Sequence, residues 1–188
     1  MHKSLWEKYY FINSLDTNVI KKQNEKTTII YRNYSQKIIN ENKIITFNNN
    51  CKKYGINFIF ANNIKLAIKL KLMGVYIPSF NNSFEHLSFS LKKNFIILGS
   101  AHNNKEIKVK IKQGVQKVFV SSIFKKNVNY LGLNKFKFLT SQHKIKFIAL
   151  GGISQSNIKK LGLTNCIGFA GISFFQKKRP LKKRPFII

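Results

Sequence analysis

Two short apolar runs near the end of the chain, ALGGI at 149–153 and GFAGI at 168–172, hold four of its ten glycines. Glycine weakens strands and helices unless the backbone must turn tightly or another group must come close. Without a Cβ atom in the way, backbone N–H groups can donate to phosphate oxygens. We therefore expect a phosphate cradle built from five residues at the ends of these runs: Gly151, Gly152, Gly171, Ile172 and Ser173.

Other polar side chains follow apolar runs earlier in the chain. Arg32 offers a planar guanidinium that can clamp a phosphate, and Ser100 offers a hydroxyl donor. His102 is an acid–base candidate; alternatively it caps a helix that begins at Asn103 or fills a structural hydrogen bond. The ends of the apolar runs carry no carboxylate pair, which indicates a site that holds an anion by directed hydrogen bonds.

Eight near-continuous apolar runs recur along the chain, as is typical of parallel strands buried on both faces. They are KYYFIN (8–13), TTIIYRNY (27–34), NFIFANN (57–63), GVYIPSF (74–80), FIILGSAH (95–102), KVFVSSIF (117–124), KFIALGGI (146–153) and CIGFAGISFF (166–175). Helical patterns lie between them, at 35–55, 63–74, 103–114 and 154–162. The connection at 14–26 is short and polar, and 125–145 holds one weak helix at best.

This alternation predicts a closed (β/α)8 TIM barrel with abbreviated helices, and an open doubly wound sheet is the alternative. We expect one barrel domain over 1–175, with no room for a final helix after Phe175. Residues 176–188, QKKRPLKKRPFII, then form a basic tail, either a solvated end or a contact for a polyanion.

The net charge of +28 comes from 34 basic residues against six acidic ones. Such a balance favours phosphorylated small molecules, nucleic acid or anionic surfaces, although a biased composition also explains many lysines. A nucleic-acid partner rests on charge alone, with no recognised motif. No apolar run is long enough to span a bilayer, and we see no secretory signal. Cys51 and Cys166 are expected to be free thiols in a cytoplasmic protein.

The order of these motifs resembles the thiamine-phosphate synthase/TenI family of (β/α)8 barrels over roughly residues 8–175. The resemblance rests on IIYRNY, on SAH followed by Glu106, and then on ALGGI and GFAGIS. It implies a condensation in which hydroxymethylpyrimidine diphosphate loses pyrophosphate to an attacking thiazole phosphate, giving thiamine phosphate. In the family Mg²⁺ usually stabilises the leaving pyrophosphate.

The resemblance assigns roles to several residues. Arg32 matches the arginine that clamps pyrophosphate, and Ser100 matches a pyrophosphate-binding serine. The cradle residues named above match the binding place of the thiazole or product phosphate.

Other positions depart from the family pattern. The two aspartates that hold Mg²⁺ match Asn62 and Asn81, and a lysine of the second-strand motif is Tyr34. The family's Thr-rich loop after the sixth strand is replaced by Lys125 and Lys126. Because Mg²⁺ prefers carboxylates, Asn62 and Asn81 are degenerate metal positions, and a Mg²⁺ cofactor is doubtful.

Three hypotheses follow. The first is a diverged synthase, a transferase of alkyl groups, in which Arg32, Lys125 and Lys126 replace the metal as the pyrophosphate clamp. The second is a TenI-like, thiazole tautomerase-type protein, although the family's catalytic histidine position holds Ser122. The third is a phosphate-ligand binder without catalysis. All three take phosphorylated small molecules: thiazole phosphate, the pyrimidine diphosphate or thiamine phosphate.

Overall fold

A computed structural model describes residues 6–23, 27–32, 34 and 40–176 of the chain. Eight parallel strands form a closed barrel in chain order, and β1 pairs with both β2 and β8. The strands are β1 (Glu7–Ile12), β2 (Thr27–Tyr31), β3 (Asn57–Ala61), β4 (Gly74–Ile77), β5 (Ile96–Ala101), β6 (Lys117–Ser121), β7 (Lys146–Leu150) and β8 (Gly168–Gly171). The predicted TIM barrel is confirmed, and the open sheet is excluded.

Successive residues of each strand point alternately into the barrel and out toward the helices. Tyr9 and Phe11 belong to the interior cluster, whereas Tyr10 and Ile12 belong to the outer one. The continuous apolar runs of the sequence are explained by this arrangement, because both faces of every strand are buried.

Six helices are described: α1 (Asn18–Lys21), α2 (Glu41–Lys53), α3 (Ile64–Lys69), α4 (Asn104–Lys112), α5 (Gly132–Ser141) and α6 (Ser173–Gln176). Asparagine side chains start three of them, because Asn40, Asn63 and Asn103 each accept a hydrogen bond from the backbone N–H three residues later. The part of the first predicted helix at 35–39 and the tail beyond Gln176 lie outside the described residues.

Several expected helices differ from the structure. The segment 125–145 contains α5, a regular ten-residue helix that buries Phe136 and Thr140 one turn apart. The polar connection 14–26 contains α1, and the predicted helix at 154–162 is a 3-10 helix, Ile158–Leu163. The predicted last strand ends early at Gly171, and α6 begins within its range.

The connection between β4 and β5 contains no α-helix. It holds a 3-10 turn, Glu85–Ser88, and is fastened to α4 by buried polar groups. Lys110 and Gln113 are both 0% exposed, and the Lys110 Nζ donates to the Asn81 carbonyl oxygen at 2.7 Å. Burial lowers the pKa of Lys110 to about 8, and the Glu106 carboxylate partly opposes that change.

Cys51 and Cys166 are both buried and free, as predicted. In the described ranges, none of the helices is long and apolar enough to cross a membrane.

The lowered pKa of Lys110 predicts how stability depends on pH. Between pH 8 and 10.5 the unfolded chain binds more protons at this amine than the folded chain, so stability rises with pH across that window. The Lys110→Met variant has no amine at this position and should lack this rise of stability with pH. We expect the difference in unfolding free energy between wild type and K110M to change by about 2 kcal/mol from pH 7 to pH 9.5. Urea denaturation at both pH values measures it.

The matched control is Lys108→Met, an exposed lysine on the same helix. Its stability should run parallel to that of wild type over the same pH range. If the K110M curve also runs parallel to wild type, Lys110 keeps an ordinary pKa in the folded protein.

Candidate functional site

The carboxyl ends of all eight strands meet at one mouth of the barrel, because the strands are parallel. Arg32 and Ser100 lie two residues beyond the interior residues Ile30 and Leu98, so both face the barrel axis. By the same alternation Ile172 faces the axis from the end of β8. Three of the site residues predicted from sequence are therefore brought to one mouth from distant parts of the chain.

The Arg32 guanidinium is held over an aromatic ring. Its central carbon lies 4.8 Å from the centroid of the Phe11 ring, which is a cation–π distance. The Arg32 backbone N–H donates to the Ile12 carbonyl oxygen at 2.9 Å, extending the β1–β2 pairing by one residue. The positive charge of Arg32 thus lies at the barrel mouth above apolar side chains. There its attraction to a bound anion would be screened less by water and salt than on the open surface.

The apolar side chains beneath Arg32 are three mutually packed aromatic rings. Phe11, Tyr76 and Phe119 make edge contacts with centroid distances of 5.2, 5.5 and 5.9 Å. Burial raises the pKa of Tyr76, and the adjacent hydroxyl of Ser100 acts in the opposite direction. Ser100 is itself buried, so its hydroxyl is fixed at the base of the mouth.

His102 lies at the same mouth of the barrel, but its polar groups contact the first turn of helix α4. Its backbone N–H donates to Glu106 Oε2 at 2.8 Å, and its ring Nδ1 lies 3.0 Å from the same oxygen. Glu106 in turn accepts from the Asn103 side chain. Asn103 rather than His102 caps α4, and these contacts favour a structural hydrogen bond at His102 over an acid–base role.

Asn62 and Asn81, the two degenerate metal positions, contact each other. The Asn81 Nδ2 donates to the Asn62 Oδ1 at 2.7 Å, and the Asn81 Oδ1 accepts from the Ser83 backbone N–H at 2.9 Å. Both amide oxygens are neutral and already accept a protein N–H. Within the described ranges there is also no group of three or more His, Cys, Asp or Glu side chains that could hold a metal ion. These residues do not fit Mg²⁺.

The glycines after β7 adapt to the loop that follows β6. Gly151 and Gly152 have φ values of +101° and +75°, and a Cβ on Gly152 would overlap the backbone of Lys125. The backbone N–H groups of Phe124 and Lys125 donate to the Gly151 carbonyl oxygen at 2.9 and 3.3 Å. The close packing of this loop against the backbone is therefore enough to require glycine at both positions.

Free donors remain beside this turn. In the described part of the chain, the backbone N–H groups of Gly152 and Ile153 donate to no protein acceptor. A cavity of about 300 Å³ adjoins them, lined by Ile153, Ser154, Gln155, Ser156, Ser173 and Phe174. Of the five predicted cradle residues, Ser173 lines this cavity, so the cavity meets the predicted cradle at the start of α6.

Gly171 differs from the other two cradle glycines. A Cβ built on Gly171 would find its nearest neighbour at 3.8 Å, the Phe174 Cβ. The protein itself leaves room for a side chain at this position, so packing within the protein does not require a glycine here.

Lys125 and Lys126 are exposed on the loop after β6. Neither ammonium group forms an ion pair with the described residues. The anchoring of Lys125 to Gly151 puts this pair on the cradle side of the mouth, away from the contact between Asn62 and Asn81. The predicted clamp is thus distributed over the mouth, with Arg32 and the lysines on separate loops.

Sequence reasoning missed the buried residues Lys110 and Gln113. Lys110 follows the buried Ile107 by three residues and so shares its helix face, a spacing that could have revealed it. An exposed aromatic pair at the mouth was missed as well: the rings of Tyr34 and Phe80 are 5.3 Å apart at 86°. Burial raises the pKa of Tyr34, with Arg32 opposing, which puts this pair near the guanidinium.

Residues 17–175 match the family model described as thiamine monophosphate synthase. The chain belongs to that family. Its predicted resemblance to thiamine-phosphate synthases is thereby confirmed at the level of the family.

Named relatives agree with the family assignment. The chain is 34% identical over 121 residues to a thiamine-phosphate synthase of Prochlorococcus marinus, covering 62% of this chain and 34% of the relative. It is 34% identical over 118 residues to a thiamine-phosphate synthase of Helicobacter pylori, and the match covers 59% of this chain and 53% of the relative. The chain therefore spans between a third and about half the length of these two synthases.

A solved structure shows the same fold. Thiamine phosphate pyrophosphorylase from Pyrococcus furiosus superposes with a TM-score of 0.71 at 21% identity, covering 89% of this chain and 86% of that one.

The contrast between the cradle glycines predicts two different mutational effects. Gly152→Ala should destabilise the protein by about 1–3 kcal/mol, because its φ is positive and its Cβ meets the Lys125 backbone. Gly171→Ala should cost less than about 1 kcal/mol, since nothing crowds the new methyl group. Urea denaturation of both variants measures the contrast; equal losses would contradict it.

Proposed function

We propose that this chain is a diverged thiamine-phosphate synthase that binds its two phosphorylated substrates at the barrel mouth without a tightly held Mg²⁺. The observation that carries the proposal is that two sets of groups suited to an anion border one barrel mouth. Free N–H groups and an open Gly171 lie at the ends of β7 and β8, and Arg32 stands over Phe11 just beyond β2, two strands from β8 around the barrel. A cytoplasmic location is part of the proposal, and the two buried free thiols support it.

The proposed reaction makes modest demands on the protein. A C–N bond forms between the thiazole nitrogen and the pyrimidine methylene carbon as the C–O bond to pyrophosphate breaks, and the electron pair leaves on pyrophosphate. The protein must hold the two substrates in line and stabilise the charge on the leaving group. In the proposal Arg32 and the nearby amides provide that stabilisation, and Lys125 and Lys126 contribute charge from the facing loop.

A phosphate-ligand binder without catalysis is the second candidate, and the contact between Asn62 and Asn81 favours it. Two neutral amides stabilise a leaving pyrophosphate less than a carboxylate-held Mg²⁺ would. The tautomerase-type alternative has less support. Ser122 stands at the family's histidine position, is buried, and donates its hydroxyl to the Lys125 carbonyl oxygen at 2.8 Å.

The decisive experiment incubates the purified chain with hydroxymethylpyrimidine diphosphate and thiazole phosphate, with EDTA or with Mg²⁺, and measures thiamine phosphate formed. We expect product in EDTA, with at most a few-fold increase on adding Mg²⁺. Arg32→Ala should lower kcat/KM by about 100-fold or more, since it removes a charge-assisted contact to the leaving group. An absolute requirement for Mg²⁺ combined with an unaffected R32A variant would disprove the metal-free clamp.

The binder alternative is separated by thermal shift in the same samples. Thiamine phosphate at millimolar concentration should raise the Tm, because a ligand of the folded state stabilises it by mass action. A rise in Tm without product supports the binder. No rise with thiamine phosphate or thiazole phosphate would exclude both candidates.

A further inference from the structure

The loop after β4 carries Asn81 to the mouth without the support of a following helix. Its anchor is instead a buried polar network on α4. Gln113 Nε2 donates to the Asn81 carbonyl oxygen at 3.0 Å and to that of Ser83 at 2.8 Å. The Gln113 carbonyl oxygen lies 2.8 Å from the Nε2 atom of the buried His86. This network connects the loop to α4 at three points.

Lys110 completes the network with a charge. Its Nζ donates to the Asn81 carbonyl oxygen at 2.7 Å and to Gln113 Oε1 at 2.9 Å. Both acceptors are neutral, and Lys110 forms no ion pair in the part of the chain that the structure describes. Its aliphatic stem packs over Gly99 of β5, which has no side chain to obstruct it.

A buried ammonium that forms no ion pair is costly for a fold. Gln113 already binds both the Asn81 and Ser83 carbonyl oxygens, so anchoring the loop does not itself require a charge. What Lys110 adds is a fixed positive charge under the residue that stands at a degenerate metal position. A positive charge here has the sign needed to stabilise an anion bound on the far side of Asn81.

We propose that Lys110 and Gln113 are positioning residues, which hold the Asn81 amide against Asn62 so that the two amides and the buried ammonium together favour a diphosphate at this side of the mouth. The inference rests on the proposed function, since that function supplies the diphosphate ligand. A cavity of about 190 Å³ adjoins both amides, and it also borders Lys65 and Glu85, which form an ion pair with each other. The ligand class is a diphosphate group bound without a metal ion.

The test compares two ligands that occupy opposite sides of the mouth. Calorimetry in EDTA gives the Kd of inorganic pyrophosphate and, separately, of thiazole phosphate. Lys110→Met should weaken pyrophosphate binding tenfold or more and change the Kd of thiazole phosphate less than twofold. Lys108→Met removes the same charge from the exposed face of α4 and should change both constants less than twofold.

Gln113→Leu provides a second variant in case K110M does not fold. It removes two hydrogen bonds to the loop and one acceptor of the Lys110 ammonium, which keeps its hydrogen bond to the Asn81 carbonyl oxygen. It should weaken pyrophosphate binding several-fold and leave thiazole phosphate binding unaffected. Side-chain amide NMR gives an independent signature. Pyrophosphate should shift the Asn62 and Asn81 NH2 signals in wild type, and the shift should be lost in either variant.

Three results would overturn the inference. Unchanged pyrophosphate binding in both variants means that Lys110 and Gln113 do not position Asn81 for the diphosphate. Equal weakening of both ligands means that the variants act through general loss of structure. If wild-type protein binds thiazole phosphate but not pyrophosphate, the proposed diphosphate site is disproved, whereas the predicted cradle is not. Failure of the wild type to bind either ligand would instead disprove the proposed function itself.

Discussion

Closure of the barrel is the constraint on which the rest of the structure depends. Once β1 pairs with both β2 and β8, the carboxyl ends of all eight strands must lie around one axis. The alternation of side chains then decides which residues face that axis. Arg32 and Ile172 are distant in the chain, yet each lies two residues beyond an interior position of its strand. No contact between them is needed to bring them to the same mouth.

The barrel could be predicted from sequence because its strands are buried on both faces and so appear as continuous apolar runs. The phosphate cradle stays a prediction from the glycines at the strand ends. Helix α5 was underestimated, since Phe136 and Thr140 give it only a narrow buried face and no side chain caps its start. The contact between Asn62 and Asn81 could not be predicted, because it joins two loops whose spacing is set by the packing of the barrel.

The structure also changes the explanation of the paired glycines. Gly151 and Gly152 would be required even if no ligand existed, since the loop after β6 approaches their backbone. Gly171 has no such requirement from the protein. Composition alone cannot separate these two causes, because in both cases something comes close to a backbone that lacks a Cβ atom. Only the position of neighbouring atoms distinguishes packing of a loop from room left for a ligand.

The electrostatics of the mouth differ from the charge of the whole chain. Most lysines are exposed, and their fields are screened by water and salt within about 10 Å. Arg32 and Lys110 are different, since one lies over an aromatic ring and the other is fully buried. Charges held in place by packing need no reorganisation when a ligand's charge develops, which is the property a leaving group requires. In the proposed arrangement the neutral amides of Asn62 and Asn81 add no negative charge beside the diphosphate. In the proposed function the cradle holds one substrate, and the rate of the reaction depends on whether these few fixed charges stabilise pyrophosphate as it departs.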